Sequence, residues 1–191
     1  GEERPPSTPA ERLTSRPCCI VTDEAELMAA VSAGDAQAFE VLVRRHLPAI
    51  EVYALRFMGD RGGAQDITQE VMLKLWQRAG DYDASKARVT TWLHRLAHNV
   101  AIDQLRRSAK YVDDTNLPEG EAPPDVIDES GALETALARL PINQRNALVL
   151  TYYQDLSNKE VAEIMDLGVR ALESLLVRAR ATLKKHIEVN P

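Results

Sequence analysis

The sequence is poor in the residues that build β-sheets. Of its 191 residues only nine are glycine and ten are proline, and aromatic side chains make up 5%. A many-stranded sheet needs more turn-forming residues than this, so an all-β fold is excluded. Charged residues also interrupt every apolar run well short of the roughly 20 residues that a membrane-spanning helix requires. We therefore expect one or two small domains and no membrane insertion.

Cysteine is nearly absent as well. Cys18 and Cys19 are adjacent, and no other cysteine is available to pair with them. Neighbouring cysteines rarely bridge each other, so we expect two free thiols rather than a metal or redox site. Residues 1–22 are too polar to bury a core and are predicted to form a disordered tail. They contain no apolar signal segment, which predicts a cytoplasmic protein.

Apolar residues recur at helical spacing from Asp23 onward, which predicts an all-α fold of two small domains. The first domain covers residues 23–107, with helices at 23–33, 36–58, 64–79 and 89–108. The second covers residues 132–191, with helices at 132–139, 141–153, 158–165 and 169–187. Between them, residues 108–131 lose this periodicity and carry seven acids against one base, which is typical of a flexible linker. The formal net charge of −6 therefore arises in this acidic linker, and the two domains together are neutral.

A helix-turn-helix pattern occupies the second domain. Ser157 and Glu160 form a capping box at the start of a helix, and Gly168 suits a left-handed turn before the next one. The last helix has one inward apolar stripe of Leu172, Leu175, Leu176, Ala179 and Leu183. Its other face offers candidates for base contact, Arg170, Glu173, Ser174 and Val177, and for phosphate contact, Arg178, Lys184 and Lys185. An ordinary amphipathic helix with a solvated face is an equally good interpretation.

The helix that begins near Val89 carries a mixed face of Trp92, Arg95, Asn99, Ile102 and Arg106. Such a face suits single-stranded nucleic acid, because bases stack on the aromatic ring while cations follow the backbone. The preceding loop adds Tyr82, Ser85, Lys86 and Arg88. Burial of Trp92 in the core is the alternative. The helix at 64–79 presents Asp66, Gln69, Glu70 and Lys74, which by pattern alone form a charged surface.

Motifs of enzyme chemistry are missing from the sequence. It has no phosphate-binding Walker loop, no nucleophile elbow and no cysteine cluster. His94 and His98 lie four residues apart on one helix, but no third ligand has suitable spacing. We therefore expect ordinary helix-face histidines, no metal site, no cofactor and no enzyme activity.

Five segments, taken in order, resemble a bacterial extracytoplasmic-function (ECF) sigma factor of the sigma-70 family: DAQAFEVLVRRHLPAIEVYALRF, QDITQEVMLKLW, DYDASKARVTTWLHRLAHNVAIDQLRR, LPINQRNALVLTYYQDLSNKEVAEIMDL and ALESLLVRARATL. The resemblance spans residues 23–187 and implies a dissociable RNA polymerase subunit that selects and helps to open promoters. It implies that the β′ clamp coiled coil and the β flap of core polymerase are docking sites, and that an anti-sigma factor is a further partner. The core-binding residues would be Asp66, Gln69 and Glu70.

The same resemblance implies two DNA-binding faces. Contacts to the minus-ten element, which include a pocket for a flipped-out base, would come from Tyr82, Ser85, Lys86, Arg88, Trp92, Arg95, Leu96, Asn99 and Arg106. Contacts to the minus-thirty-five element would come from Ser157, Arg170, Glu173, Ser174, Val177, Arg178 and Lys184. The sequence departs from the family pattern at His94, His98, Gly168 and Glu173, where an acid replaces a common base. A self-sufficient helix-turn-helix repressor or activator is the alternative function.

Overall fold

The computed structural model describes residues 23–110, which we call the first half, and residues 132–189, which we call the second half. The first half contains α1 (Glu24–Ser32), α2 (Ala36–Met58), α3 (Arg61–Arg78), a short 3₁₀ turn (Ala79–Asp81) and α4 (Val89–Lys110). The second half contains α5 (Ala132–Ala138), α6 (Ile142–Tyr153), α7 (Asn158–Ile164) and α8 (Val169–Val189). The predicted all-α fold is therefore confirmed. The predicted tail at 1–22 and residues 111–131 of the predicted linker lie outside the described residues.

Aspartates fix the starts of the first three helices. Asp23, Asp35 and Asp60 each accept hydrogen bonds from backbone N–H groups of the first turn, which would otherwise lack partners. At α3 the Asp60 carboxylate accepts from the Gly63 N–H at 2.6 Å. The helix consequently begins at Arg61, three residues earlier than the sequence predicted. The cap outweighs the low helix propensity of Gly62 and Gly63.

The turn between α7 and α8 differs from the prediction that placed a left-handed residue at Gly168. The left-handed residue is Asp166, with φ of 55°. The Leu167 N–H then donates to the Ala162 carbonyl at 2.8 Å, which closes α7 with a Schellman-type bond. Gly168 instead precedes α8, and its carbonyl accepts from the Leu172 N–H at 3.0 Å. The prediction was wrong because aspartate also tolerates the left-handed region.

The two halves share one hydrophobic core. Helix α2 packs on α1, α3 and α4 of its own half, and also on α5 and α6 of the second half. Its Tyr53 and Phe57 side chains are fully buried, with ring centroids 5.7 Å apart. The two predicted domains therefore pack directly against each other.

Within the described ranges, no helix is both long enough and apolar enough to cross a membrane.

A buried arginine strengthens this packing. Arg145 of α6 is 6% exposed and donates to the carbonyl oxygens of Phe57, Ala138 and Leu140. These oxygens lie at or beyond the ends of α2 and α5, where backbone carbonyls lack helical partners. Burial lowers the pKa of Arg145 to about 10, so the guanidinium is still charged near neutral pH. One cation thus satisfies the carboxyl end of α2 and the turn that follows α5.

Candidate nucleic-acid interface

The loop before α4 is a compact turn held by its own side chains. The Tyr82 hydroxyl donates to the Ala87 carbonyl at 3.0 Å, and the Tyr82 ring meets the Trp92 ring edge-on at 5.9 Å. Asp83 accepts from the Ser85 hydroxyl at 2.7 Å and pairs with the Lys86 ammonium at 3.0 Å. The Ser85 and Lys86 contacts lower the pKa of Asp83 to about 2. The loop therefore holds its small polar groups and an aromatic pair in a defined arrangement.

The predicted minus-ten residues of α4 fall into three groups. Arg95, Asn99 and Arg106 are exposed, and Arg106 lies 3.8 Å from the Asp103 carboxylate. Trp92 is half-buried. Its side chain packs against the core, as the core interpretation predicts, and stays partly exposed, as contact with a base requires. Leu96 is only 6% exposed. Its side chain lies in the core, whereas Arg95 and Asn99 face outward.

Arg88 is already paired in this structure. Its guanidinium donates to the Glu160 carboxylate of α7 at 2.8 and 3.0 Å. The buried Thr91 hydroxyl donates to the same oxygen at 2.6 Å. Partial burial raises the pKa of Glu160, but hydrogen bonds from Thr91, Ser157 and Arg88 outweigh it and lower the pKa to about 2. A predicted DNA contact of the first half is thus joined to the helix-turn-helix of the second.

The predicted capping box of α7 is confirmed. The Ser157 N–H and hydroxyl donate to Glu160 at 2.9 and 2.7 Å, and the Glu160 N–H donates to the Ser157 hydroxyl at 3.4 Å. Ser157 is nevertheless exposed at the surface. Ser157 fixes the start of α7, and its contact with DNA stays a prediction.

Helix α8 buries one face and exposes the other, as its sequence pattern predicts. Leu172, Leu176 and Ala179 are buried in the core. The outward residues are Arg170, Glu173, Ser174, Val177, Arg178 and Lys184, and Val177 is 58% exposed. The Ser174 hydroxyl donates to the Arg170 carbonyl at 3.0 Å, so it can still accept a hydrogen bond from a base but must give up this bond to donate one.

A basic cleft lies beside this exposed face. It has a volume of about 590 Å³ and is lined by Arg178 and His186 of α8, by Arg139, and by the first residues of α6. Two guanidinium groups and polar side chains make the cleft complementary to an anion such as a phosphate. The sequence pattern missed Arg139, because it comes from the turn between α5 and α6 rather than from α8.

The outer face of α3 carries the predicted polymerase contacts. Asp66 and Gln69 are exposed, whereas Glu70 pairs with Lys74 at 3.2 Å and with Arg107 of α4 at 3.5 Å. Two large apolar side chains that the sequence interpretation passed over lie nearby on the same helix, Leu73 at 54% exposure and Trp76 at 38%. Leu73 and Trp76 lie four and seven residues after Gln69, and this helical spacing would have placed them on the same face from the sequence alone.

The prediction that His94 and His98 are ordinary helix-face residues was wrong. His94 is 1% exposed, and its Nε2 lies 2.9 Å from the side-chain oxygen of Gln154. His98 Nδ1 accepts from the Asn146 side-chain amide at 2.8 Å. Burial lowers the pKa of both, that of His98 to about 4. Both rings face the second half, and among the described residues no group of three acidic, histidine or cysteine side chains is arranged to hold a metal ion.

Models of known families match both halves. The family described as sigma-70 region 2 matches residues 42–111, and the family described as sigma-70, region 4 matches residues 130–183. These two matches place the chain among the sigma-70-type transcription initiation factors, which are not enzymes.

Similar proteins narrow this class. The ECF RNA polymerase sigma factor SigM of Mycobacterium tuberculosis is 35% identical over 170 residues, which cover 85% of this chain and 83% of SigM. The ECF sigma factor RpoE of Cereibacter sphaeroides is 29% identical over 87% of this chain and 96% of its own. The chain belongs to the ECF sigma factors, as its sequence motifs predicted, and is an alternative sigma factor.

Solved structures share the fold. CnrH, in its complex with the cytosolic domain of CnrY, has a TM-score of 0.68 and 26% identity, and the match covers 88% of this chain and 99% of CnrH. The sigma factor RpoE of Bartonella quintana, in complex with the anti-sigma factor NepR, has a TM-score of 0.68 at 21% identity. That match covers 82% of this chain and all of the other.

Proposed function

We propose that this sigma factor uses the mixed face of α4 to capture the melted minus-ten element. The observation that carries the proposal is the set of exposed Arg95 and Asn99 beside the Tyr82–Trp92 ring pair. In this proposal the Asn99 amide hydrogen-bonds the edge of a base, the rings of Tyr82 and Trp92 contact the base, and Arg95 follows the phosphate backbone. Flipping a base costs a few kcal/mol of unstacking, which such a pocket offsets.

Core polymerase docks on the outer face of α3. Asp66 and Gln69, with the exposed Leu73 and Trp76, combine acidic, polar and apolar groups on one helix side. Such a face suits a helical partner that offers an apolar ridge flanked by basic residues, and the β′ clamp coiled coil is that partner in our proposal. The β flap contacts the second half. Glu70 takes part less directly, because Lys74 and Arg107 already hold its carboxylate.

The second half reads the minus-thirty-five element through α8. Arg170, Glu173 and Val177 reach base edges, while Arg178 and the adjoining basic cleft hold phosphates. Residues 108–131 connect the domain at 23–107 to the domain at 132–191. Their seven acids are repelled by duplex DNA and suit the positively charged channels of polymerase. The protein acts where polymerase acts, in the cytoplasm.

An anti-sigma factor controls the protein. Support comes from the relatives, since RpoE of Bartonella quintana is bound to the anti-sigma factor NepR and CnrH is bound to the cytosolic domain of CnrY. Coexpression with the product of the neighbouring gene, followed by size-exclusion chromatography, tests this part. Co-elution in a stable complex is expected. Separate elution of two folded proteins would refute control by that neighbour.

Footprinting with and without core polymerase distinguishes this function from a self-sufficient helix-turn-helix regulator. Neutral domains bind DNA weakly, so we expect no protection by the free protein and protection of two promoter elements by the protein with core polymerase. A regulator would protect a palindromic duplex alone, as a dimer on two half-sites. That second pattern, with no effect of core polymerase, would overturn the proposal.

A further inference from the structure

One carboxylate joins the two halves at the DNA-facing end of α4. Glu160 Oε1 accepts from the Arg88 guanidinium at 2.8 and 3.0 Å and from the Thr91 hydroxyl at 2.6 Å. Its other oxygen accepts from Ser157 in the capping box. The Glu160 side chain is 18% exposed, whereas that of Arg88 is 64% exposed. The carboxylate is therefore fixed by α7, and the arginine approaches it from solvent.

We propose that Glu160 is an intramolecular latch that occupies the position of a DNA phosphate at Arg88 and, together with the core that the two halves share, holds the free protein closed. The inference rests on the proposed capture of the minus-ten strand by α4. A carboxylate and a phosphate make the same charge-assisted bonds to a guanidinium group, so Glu160 competes directly with the DNA backbone. Until α7 moves away, Arg88 is withheld from the melted strand.

The closed arrangement is incompatible with simultaneous reading of both promoter elements. The elements lie roughly 25 base pairs apart, and at about 3.4 Å per pair this separates them by about 85 Å. A compact chain of this length has a radius of gyration of about 16 Å. The second half must therefore leave the first on the promoter, and the Glu160 contacts must break.

The chemistry of the latch allows release. The Arg88 side of the pair is largely solvated, whereas Glu160 is mostly covered, and an exposed guanidinium group exchanges readily for other partners. The Thr91 hydroxyl is the buried part of the contact, since Thr91 is 4% exposed. Other polar contacts between the halves, such as His98 with Asn146 and Tyr53 with Asn146, add to the closed state. DNA arriving at Arg88 would thus weaken the contact at its exposed side first.

Two variants weaken the latch without removing α7. Glu160→Gln keeps a side chain that can complete the capping box but loses the charge that attracts Arg88. Thr91→Val keeps the shape of the buried side chain and loses only its hydroxyl. Glu163→Gln is the matched control, because Glu163 lies exposed on the same helix and the charge change is identical. Circular dichroism checks that all three full-length proteins are folded.

The first measurement is the distance between the halves in the free protein. Labels are placed at Gln77→Cys in α3 and Thr135→Cys in α5, both exposed, after Cys18 and Cys19 are changed to serine. Double electron–electron resonance should show one short distance in the parent protein and a population at longer distance in Glu160→Gln and Thr91→Val. Glu163→Gln should match the parent. Unchanged distances in both latch variants would overturn the proposal.

The second measurement is binding of a fluorescent single-stranded random 12-mer pool to the free proteins. If the closed form withholds Arg88, opening raises the competent fraction, and we expect at least about threefold tighter binding by Glu160→Gln than by Glu163→Gln. Equal affinities would refute masking by the latch. Transcription by the wild-type protein with core polymerase is scored separately. If transcripts appear but both latch variants keep the distances of the parent protein, the latch proposal fails and the proposed function stands. If no transcript appears, the proposed function itself fails.

Discussion

The buried histidines between the halves predict that acid destabilises the native protein. Burial lowers the pKa of His98 from 6.5 to about 4, and it also lowers the pKa of His94. The pKa of His46, which contacts Glu24 within the first half, is lowered by burial as well. In the native state His98 Nδ1 accepts a hydrogen bond from Asn146, whose oxygen is already taken by the Tyr53 hydroxyl. Protonation of His98 would make two donors face each other at 2.8 Å. The neutral ring is therefore the native form.

The sign and size follow from proton linkage. Below pH 6.5 the unfolded chain binds a proton at His98 that the native state does not bind until the pH approaches 4. The stabilising contribution is thus fully present above the unfolded pKa and is lost as the pH falls through this window. For these two pKa values, the loss between pH 7 and pH 5 is about 2 kcal/mol from His98 alone.

Urea unfolding at pH 7 and pH 5 measures this contribution. His98→Gln retains an acceptor for the Asn146 amide but cannot take up the proton, so the difference between the two pH values should shrink by about 2 kcal/mol. His186→Gln is the matched control, because this substitution removes an imidazole of α8 that lies against the Ala136 carbonyl of α5, within the second half. The reasoning is refuted if His98→Gln and the wild type lose the same stability on acidification.

Three further substitutions have separable effects. Asn99→Ala should slow promoter opening, followed by 2-aminopurine fluorescence, by about tenfold while leaving core binding in native gels unchanged, and equal loss of core binding would contradict the role of α4. Arg170→Ala should reduce discrimination among upstream promoter variants by about tenfold in competition binding, so an unchanged preference would count against α8 as the reader. Tyr53→Phe leaves the buried Asn146 oxygen without its 3.0 Å donor and should lower the free energy of unfolding by about 1 kcal/mol, as measured in urea, whereas no change would show that the bond is dispensable.

Most helices could be predicted from local patterns. The spacing of apolar residues located α2 at 36–58, and the Ser157–Glu160 capping box located the start of α7. The error at α3 was also local, since the Asp60 side chain starts the helix before two glycines that usually interrupt one. The exposed and buried faces of α8 followed from its period alone.

The interface between the halves could not be predicted in the same way. His94 and His98 meet Gln154 and Asn146, which lie 60 and 48 residues further along the chain. Arg88 likewise meets Glu160, 72 residues away. Helical periodicity assigns a face to each residue but does not say which distant helix covers it. The candidate DNA residues of α4 and α8 therefore lie on the helices that the sequence predicted, while the pairing of Arg88 required the tertiary structure.

Run-off transcription with purified core polymerase and a promoter library tests the sigma-factor function most directly. The wild-type protein should produce transcripts from a subset of promoters that core polymerase alone does not use. Asn99→Ala should reduce these transcripts, and an artificially melted minus-ten bubble should partly restore them. The result that would contradict the assignment is the absence of any promoter-dependent transcript while the protein by itself protects a palindromic duplex.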